Sequence, residues 1–262
     1  MKRGRQSDNR GKLNSPVTIW GLHPVEECLR VRPSACEKVL FLPSFGRKRG
    51  QVLLKRLLIE TGVSSSEVSD FRGLSLPEQA VHQGVVATVK PFWMVELGFL
   101  VNLALKGGNP VVVCDQISDP QNLGAIIRAS AALGAAGVVI SKRHGSGITG
   151  TVVKASAGAV FHAQVAFVSS IPGVLKRMKQ AGLWIFGLDS KAEADIFQAD
   201  LSSIPLALVA GSEQRGLRKT VRKELDFRVR IPMVPGVESL NVSSAVSIAL
   251  YECKRQKAGV SN

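Results

Sequence analysis

The sequence predicts an α/β protein whose larger, C-terminal part is a parallel sheet with helices on both faces, preceded by a small N-terminal α/β domain. Three observations lead there. Val111–Cys114 is an uninterrupted apolar run, the mark of a strand buried on both faces of a parallel sheet. The stretch "NLGAIIRASAALGAAGVVIS" after it reads as helix, glycine stop and next strand, which makes a βαβ unit. Upstream, from Thr18 to about Lys90, short helical and extended patterns alternate.

Taken in order, residues 1–15 are polar, charged and aperiodic, and are expected to be a flexible basic arm. Residues 16–90 form the small domain. There "PVEECLRV" reads as a helix, "EKVLFL" as a strand, "QVLLKRLLIETG" as a helix closed by Gly62, and "HQGVVATV" as a final strand. Residues 91–109 are a linker whose middle has helical character and whose end is punctuated by Gly107, Gly108 and Pro110. Residues 110–262 hold the larger domain. After the βαβ unit, "IPGVLKRMKQAG" reads as a helix, and "GLWIFGLD" and "IPLALVAG" as buried strands. "IPMVPGVESLNVSSAVSIALYE" then begins like a strand, breaks twice on proline, and enters a helix at Asn241. Val242, Ala245, Val246, Ala249 and Leu250 recur there at the spacing of one buried helical face.

A chain of 262 residues with 45% hydrophobic content can bury a sizeable core. No apolar run approaches the roughly 18 to 20 residues of a membrane span, and the first residues lack the apolar stretch of a signal peptide. A soluble cytoplasmic protein is expected, with no membrane partner. Cys28, Cys36, Cys114 and Cys253 sit at no metal-ligand or redox spacing, and the four histidines are scattered singly, so no metal is expected. The net charge of +14, with no acidic segment, points to a polyanionic partner, and nucleic acid is the leading one.

Three stretches carry candidate chemistry. "DQISDPQNLGAIIRAS" follows the end of a buried strand, where open α/β sheets place ligands. Asn122 is read as the start of its helix, and Arg128 projects roughly 140° from Leu123, away from the buried face. "LALVAGSEQRGL" ends a strand at Gly211 and closes a turn at Gly216 around Glu213, and glycine there lets backbone approach a ligand. Downstream, Arg215, Arg218, Lys219, Arg222, Lys223, Arg228 and Arg230 are denser than an ordinary solvated face requires. In the third stretch Asn241 suffices as the helix cap and Ser239 is surplus to capping, so the stretch reads either as a Pro-rich turn with generous capping or as a small-molecule pocket whose donors are helix-start N–H groups with a serine and an asparagine beside them. "GSGITG" at 145–150 matches a dinucleotide-binding pattern, but "KRH" separates it from the strand and no acidic residue follows before Asp189. It reads as a flexible loop.

Together, the N…R pair, the G-x-E-x-x-G turn, and "IPM" followed by "SLNVSSA" resemble the SpoU-type branch of the SPOUT superfamily of RNA ribose 2′-O-methyltransferases. The resemblance covers about 110–254, includes "VVKASAGAV", and extends to "GLHPVEECL" and "HQGVVATV", which look like the substrate-binding domain many members carry. One departure is visible: the family often has glycine two residues after the Met of "IPM", where this chain has Pro235 followed by Gly236. The resemblance implies a deep trefoil knot, a homodimer, and S-adenosylmethionine as methyl donor without a metal. The backbone around Gly211, Ile231 and Leu240 would hold the cofactor. Arg128 matches the family arginine assigned to the reacting hydroxyl. Asn122 and Ser239 would position the ribose and Arg128, Asn241 the turn and cofactor, and Glu213 a neighbouring loop.

A guanidinium loses its proton only above about pH 12, so Arg128 is no simple base. A nearby phosphate, an alkoxide stabilised by the cation, or a distorted guanidinium would each reconcile it with proton removal. A separate N-terminal substrate domain favours ribosomal over transfer RNA. A binding-only RNA protein would explain charge and fold, but gives no reason for the three polar motifs to occur together. A nucleotide-dependent oxidoreductase accounts only for the βαβ pattern and "GSGITG".

Overall fold

The computed structural model describes residues 15–46, 48–142 and 145–260. The chain divides into two compact units. One gathers the described residues up to Phe92 together with Gly147–Lys154, and the other gathers Trp93–Ser146 and the chain from Ala155 onward.

In the first unit the order is β1 (Val17–Trp20), α1 (Leu22–Val31), β2 (Cys36–Phe41), α2 (Arg49–Thr61), β3 (Ser65–Glu67) and β4 (Val85–Val89). The sheet order is β1-β4-β2-β3, antiparallel except for the β2–β3 pair. β4 is central, which is why Val85, Val86, Ala87 and Val89 are all buried. α1 and α2 pack together through Val25, Cys28 and Leu29 on one helix and Leu54 and Leu58 on the other. α2 ends at Gly62 in a left-handed cap, as its sequence indicates.

The second unit holds α3 (Leu97–Gly107), β5 (Val111–Cys114), α4 (Pro120–Leu133) and β6 (Gly137–Ser141). The short α5 (Gly150–Ala155), most of which clusters with the first unit, leads to β7 (Val165–Val168), α6 (Ile171–Gln180), β8 (Trp184–Leu188) and β9 (Ala194–Asp195). Then come β10 (Leu206–Ala210), α7 (Lys219–Arg222), β11 (Phe227–Arg230) and α8 (Val242–Val260). All pairs of the seven-stranded sheet, ordered β7-β6-β5-β10-β8-β11-β9, are parallel.

Alternation along each strand divides the core. Val111, Val113, Val139, Ile185, Ala207 and Val209 pack with α3 and α6 on one face. Val112, Ile140 and Leu208, also buried, point to the opposite face, where α4 and α8 pack against each other. Leu123, Ile126, Ile127 and Ser130 of α4 are all buried, the face the helical wheel assigns.

Three local readings differ from the sequence analysis. Helix α4 starts at Pro120 rather than Asn122. The Asp119 carboxylate accepts the Gln121 N–H at 2.9 Å, and Pro120 takes the first helical position, where no N–H is needed. Asn122 therefore lies inside the first turn, its side chain buried. The strand expected to start at "IPM" is β11, which ends one residue earlier at Arg230. The segment assigned to a linker carries α3, whose Leu97, Leu100, Val101 and Ala104 join the sheet core.

Candidate functional site

The C-terminal ends of the parallel strands carry three hollows in a row. The first, about 590 Å³, lies over β10, β8 and β11 and is walled by Gly211, Asp189 and Ile231, with Ser239 and Leu240 from the loop before α8. The second, about 580 Å³, lies between the ends of β5 and β10 and is lined by Asn122, Glu213 and Val242 among others. The third, about 470 Å³, lies over β7, β6 and β5. Gly211, Ile231 and Leu240, from two of the three candidate stretches, therefore meet at one cleft.

Between the first two hollows sits a hydrogen-bonded cluster. The Asn122 amide donates to Asp119 Oδ2 at 2.9 Å and to Glu213 Oε1. Asn241 Nδ2 donates to Asn122 Oδ1 at 2.9 Å and to Glu213 Oε1 at 3.3 Å. Asn241 Oδ1 accepts the N–H groups of Ser243 (2.9 Å) and Ser244, so this side chain caps α8 and braces Asn122 at once. Three motifs spread over 120 residues are thus tied by side-chain amides that have one orientation available. Glu213 lines both clefts, and its Oε2 accepts no hydrogen bond from a described residue.

The other two candidates stand apart from the cluster. Ser239 is exposed on the rim of the first cleft. Arg128 is exposed on α4, six residues from Asn122, which is about 9 Å along the helix axis and about 120° around it. No described carboxylate pairs with it.

Gly211 has a reason beyond ligand access. A Cβ there would sit 2.5 Å from Leu217 N and against the Gly216 carbonyl, all backbone, so the turn itself needs the glycine. Gly216 closes that turn with φ +59 and donates its N–H to Ser212 O at 2.7 Å. In the loop after β11, Gly236 takes the left-handed conformation, φ +91, directly after Pro235. The "GSGITG" loop is anchored by the Ser146 N–H to Ile117 O at 2.9 Å, while Arg143 and His144 lie outside the described residues.

Sequence reasoning missed the buried Asp115 at the end of β5. Its carboxylate takes Arg218 Nε at 3.0 Å through both oxygens and Nη2 at 2.5 Å, and this pairing raises the guanidinium's pKa. Gln116 follows in the left-handed region, φ +62, unusual for a residue with a side chain. Asp189 was also missed. It directly follows β8 in the wall of the first cleft, paired with Arg222 (3.4 Å) and Arg228 (3.5 Å). Asp119 before Pro120 is a helix-start signal that the sequence did offer; no local signal pairs Asp115 with a residue 103 positions away. The basic cluster is correspondingly divided. Arg218, Arg222, Arg228 and Arg230 serve ion pairs, whereas Arg215, Lys219 and Lys223 face no carboxylate partner among the described residues. Among the described residues, no group of three or more His, Cys, Asp or Glu side chains is placed to hold a metal ion. None of their helices is long and apolar enough to cross a membrane.

A parallel sheet with its polar cluster and cleft at the strand ends, joined to a small α/β unit, defines an RNA-methylating enzyme class once the comparisons are added. The SpoU rRNA Methylase family profile matches residues 109–251, and that of the RNA 2′-O ribose methyltransferase substrate-binding domain matches 18–94. The chain belongs to the SpoU family of RNA methyltransferases. A 23S rRNA (guanosine-2′-O-)-methyltransferase RlmB of Pseudomonas syringae is 33% identical over 92% of this chain and 96% of its own length. An uncharacterized tRNA/rRNA methyltransferase of Synechocystis is 41% identical over 75% of this chain, and the match spans about half (51%) of that relative's length. Among solved structures, the SpoU methyltransferase AviRb of Streptomyces viridochromogenes, crystallised with AdoMet, shares the fold. Its TM-score is 0.77 at 23% identity, covering 98% of this chain and 95% of its own.

Proposed function

We propose that the protein transfers a methyl group from S-adenosylmethionine to a guanosine ribose 2′-hydroxyl in 23S ribosomal RNA, acting in the cytoplasm as a homodimer with residues 16–90 as the RNA-selecting domain. The observation that carries the reading is the Asn122–Glu213–Asn241 cluster at the wall shared by two hollows, one for the donor and one for the acceptor.

The first cleft fits the donor's chemistry. Glu213 and Glu238 supply negative charge for an ammonium and a sulfonium, Lys191 and Arg215 supply positive charge for a carboxylate, Asp189 and Arg222 neutralise each other in the wall, and backbone at Gly211, Ile231 and Leu240 can meet the adenosine part. Segments near 210–217, 229–233 and 238–242 converge there. When bound, the cofactor supplies an electrophilic methyl group on sulfur.

The chain's own task is alignment of the ribose oxygen with that methyl and stabilisation of the charge that develops on the oxygen. Asn122, held on both sides of its amide, fixes one wall of the second hollow, and Glu213, which lines both hollows, offers Oε2 as a further acceptor. Ser239 adds a hydroxyl at the rim. Arg128 works as a permanent cation. Standing clear of the cluster, it acts on RNA from the exposed side of α4. The full-length similarity to a named 23S rRNA enzyme supports ribosomal RNA over transfer RNA.

The test is to map ribose methylation in RNA from cells with and without the protein. Loss at one guanosine of 23S rRNA is the expected result. Loss at a tRNA position instead would move the substrate, and unchanged maps for both RNAs would overturn the reading.

A further inference from the structure

We propose that the third hollow, over β7, β6 and β5, is a phosphate subsite that takes one backbone phosphodiester of an RNA nucleotide flanking the methylated ribose. The inference rests on the RNA-methylation reading and adds a place on the molecule that this reading does not use.

Position is the first argument. The hollows follow the strand order, with the donor cleft over β11, β8 and β10, the cluster between β10 and β5, and this hollow over β5, β6 and β7. Gln116 lines both the second and the third, so a strand whose ribose lies in one passes directly into the other. The backbone of Gln116 is held in the left-handed region at that shared wall, a conformation side-chain-bearing residues adopt mainly where a site demands it.

Charge is the second argument. Five ionisable groups bear on the hollow, and four of them are balanced in two pairs. Arg218 lines it with its plane fixed by Asp115. Nε and Nη2 are engaged there, whereas Nη1 has no acceptor among the described residues. Glu224, the one carboxylate of the lining, is 3.7 Å from Lys176. Lys223 is exposed and faces no described carboxylate, which leaves the hollow a net charge near +1, matched to one phosphodiester. The Thr220 hydroxyl on the same wall provides a neutral donor. A free nucleotide, whose terminal phosphate is more than singly charged, would bring more charge than this set balances.

The test measures affinity for a 23S rRNA transcript against salt concentration for the wild type, Lys223→Gln, Lys223→Arg, Thr220→Glu, and Lys106→Gln on α3 as a control of equal charge change. Lys223→Gln should lower the slope of log affinity against log salt by about one and weaken binding about five- to ten-fold at low salt. Lys223→Arg should restore both, and Thr220→Glu should weaken binding at least as much. S-adenosylmethionine affinity should be unchanged in all, and the loss in methyl transfer should fall on KM for RNA rather than on kcat. If Lys223→Gln gives the slope and affinity of Lys106→Gln, or if the wild type does not bind the transcript, the subsite is overturned. If the wild type binds RNA but transfers no methyl, the enzymatic reading falls while the slope comparison still decides the subsite.

Discussion

Arg128 separates charge from geometry at the level of a single side chain. It is exposed, unpaired by any described carboxylate, and lies off the buried face of α4, so replacing it removes no packing. Arg128→Lys keeps the charge but replaces a planar fork by a hydrated point charge. Single-turnover methyl transfer should fall by about 100-fold or more in both Arg128→Lys and Arg128→Ala, since one misplaced group in an aligned transfer costs on that order. Melting temperature and cofactor affinity should match the wild type. A lysine variant with near-normal turnover would reduce Arg128 to a general electrostatic contact. Gly211 makes the opposite case, because a Cβ there meets the backbone of the Gly216–Leu217 turn before it meets a ligand. Gly211→Ala should therefore lower stability even without cofactor, by about 1–3 kcal/mol as overpacking does, and weaken cofactor binding through the displaced loop. Unchanged denaturant unfolding with lost binding would restore ligand space as the sole reason.

Among the elements, the loop after β10 is tied to the end of β5 by Asp115 and Arg218, next to Gln116, the residue that lines both the second and the third hollow. Arg218→Met would leave the fully buried Asp115 carboxylate without its partner. The expected cost is about 2–3 kcal/mol, toward the low end for a buried pair because the guanidinium is about a third exposed. Urea unfolding of Arg218→Met measures it, and a loss below about 0.5 kcal/mol would show the pair to be dispensable. This tie also marks where the sequence stops being legible. Apolar runs such as Val111–Cys114 and Leu206–Ala210 disclose buried strands because burial on both faces tolerates no polar residue. The caps of α2 and α8 are legible because Gly62 and Asn241 act within their own turns. The start of α4 was readable from Asp119 and Pro120, yet Asn122 is polar and draws the cap assignment to itself. The order of strands, the Asp115–Arg218 pair and the Asn122–Asn241 contact join residues about 100 or more positions apart, and only the folded sheet brings them together.

Taken whole, the molecule has buried thiols that report on its integrity. Burial pushes the Cys114 and Cys253 thiols up to about 12 from an ordinary value of 9.0. Ionisation is thus easier in the unfolded chain. Protons are released on unfolding above about pH 9, and stability should fall as pH rises from about 9 toward about 12. Alkylation of these two thiols at pH 8.5 should follow global unfolding, and rapid modification of the native protein would contradict the packing of β5 and α8. The whole account turns on the identity of the acceptor atom. The most direct measurement is to incubate the purified full-length protein with methyl-labelled S-adenosylmethionine and a 23S rRNA transcript, then digest the RNA with alkali. A methylated 2′-oxygen cannot attack the neighbouring phosphate, so the account predicts label in an alkali-resistant dinucleotide that yields 2′-O-methylguanosine. Label in alkali-sensitive, base-methylated mononucleotides, or no label from protein that binds both cofactor and RNA, would contradict it.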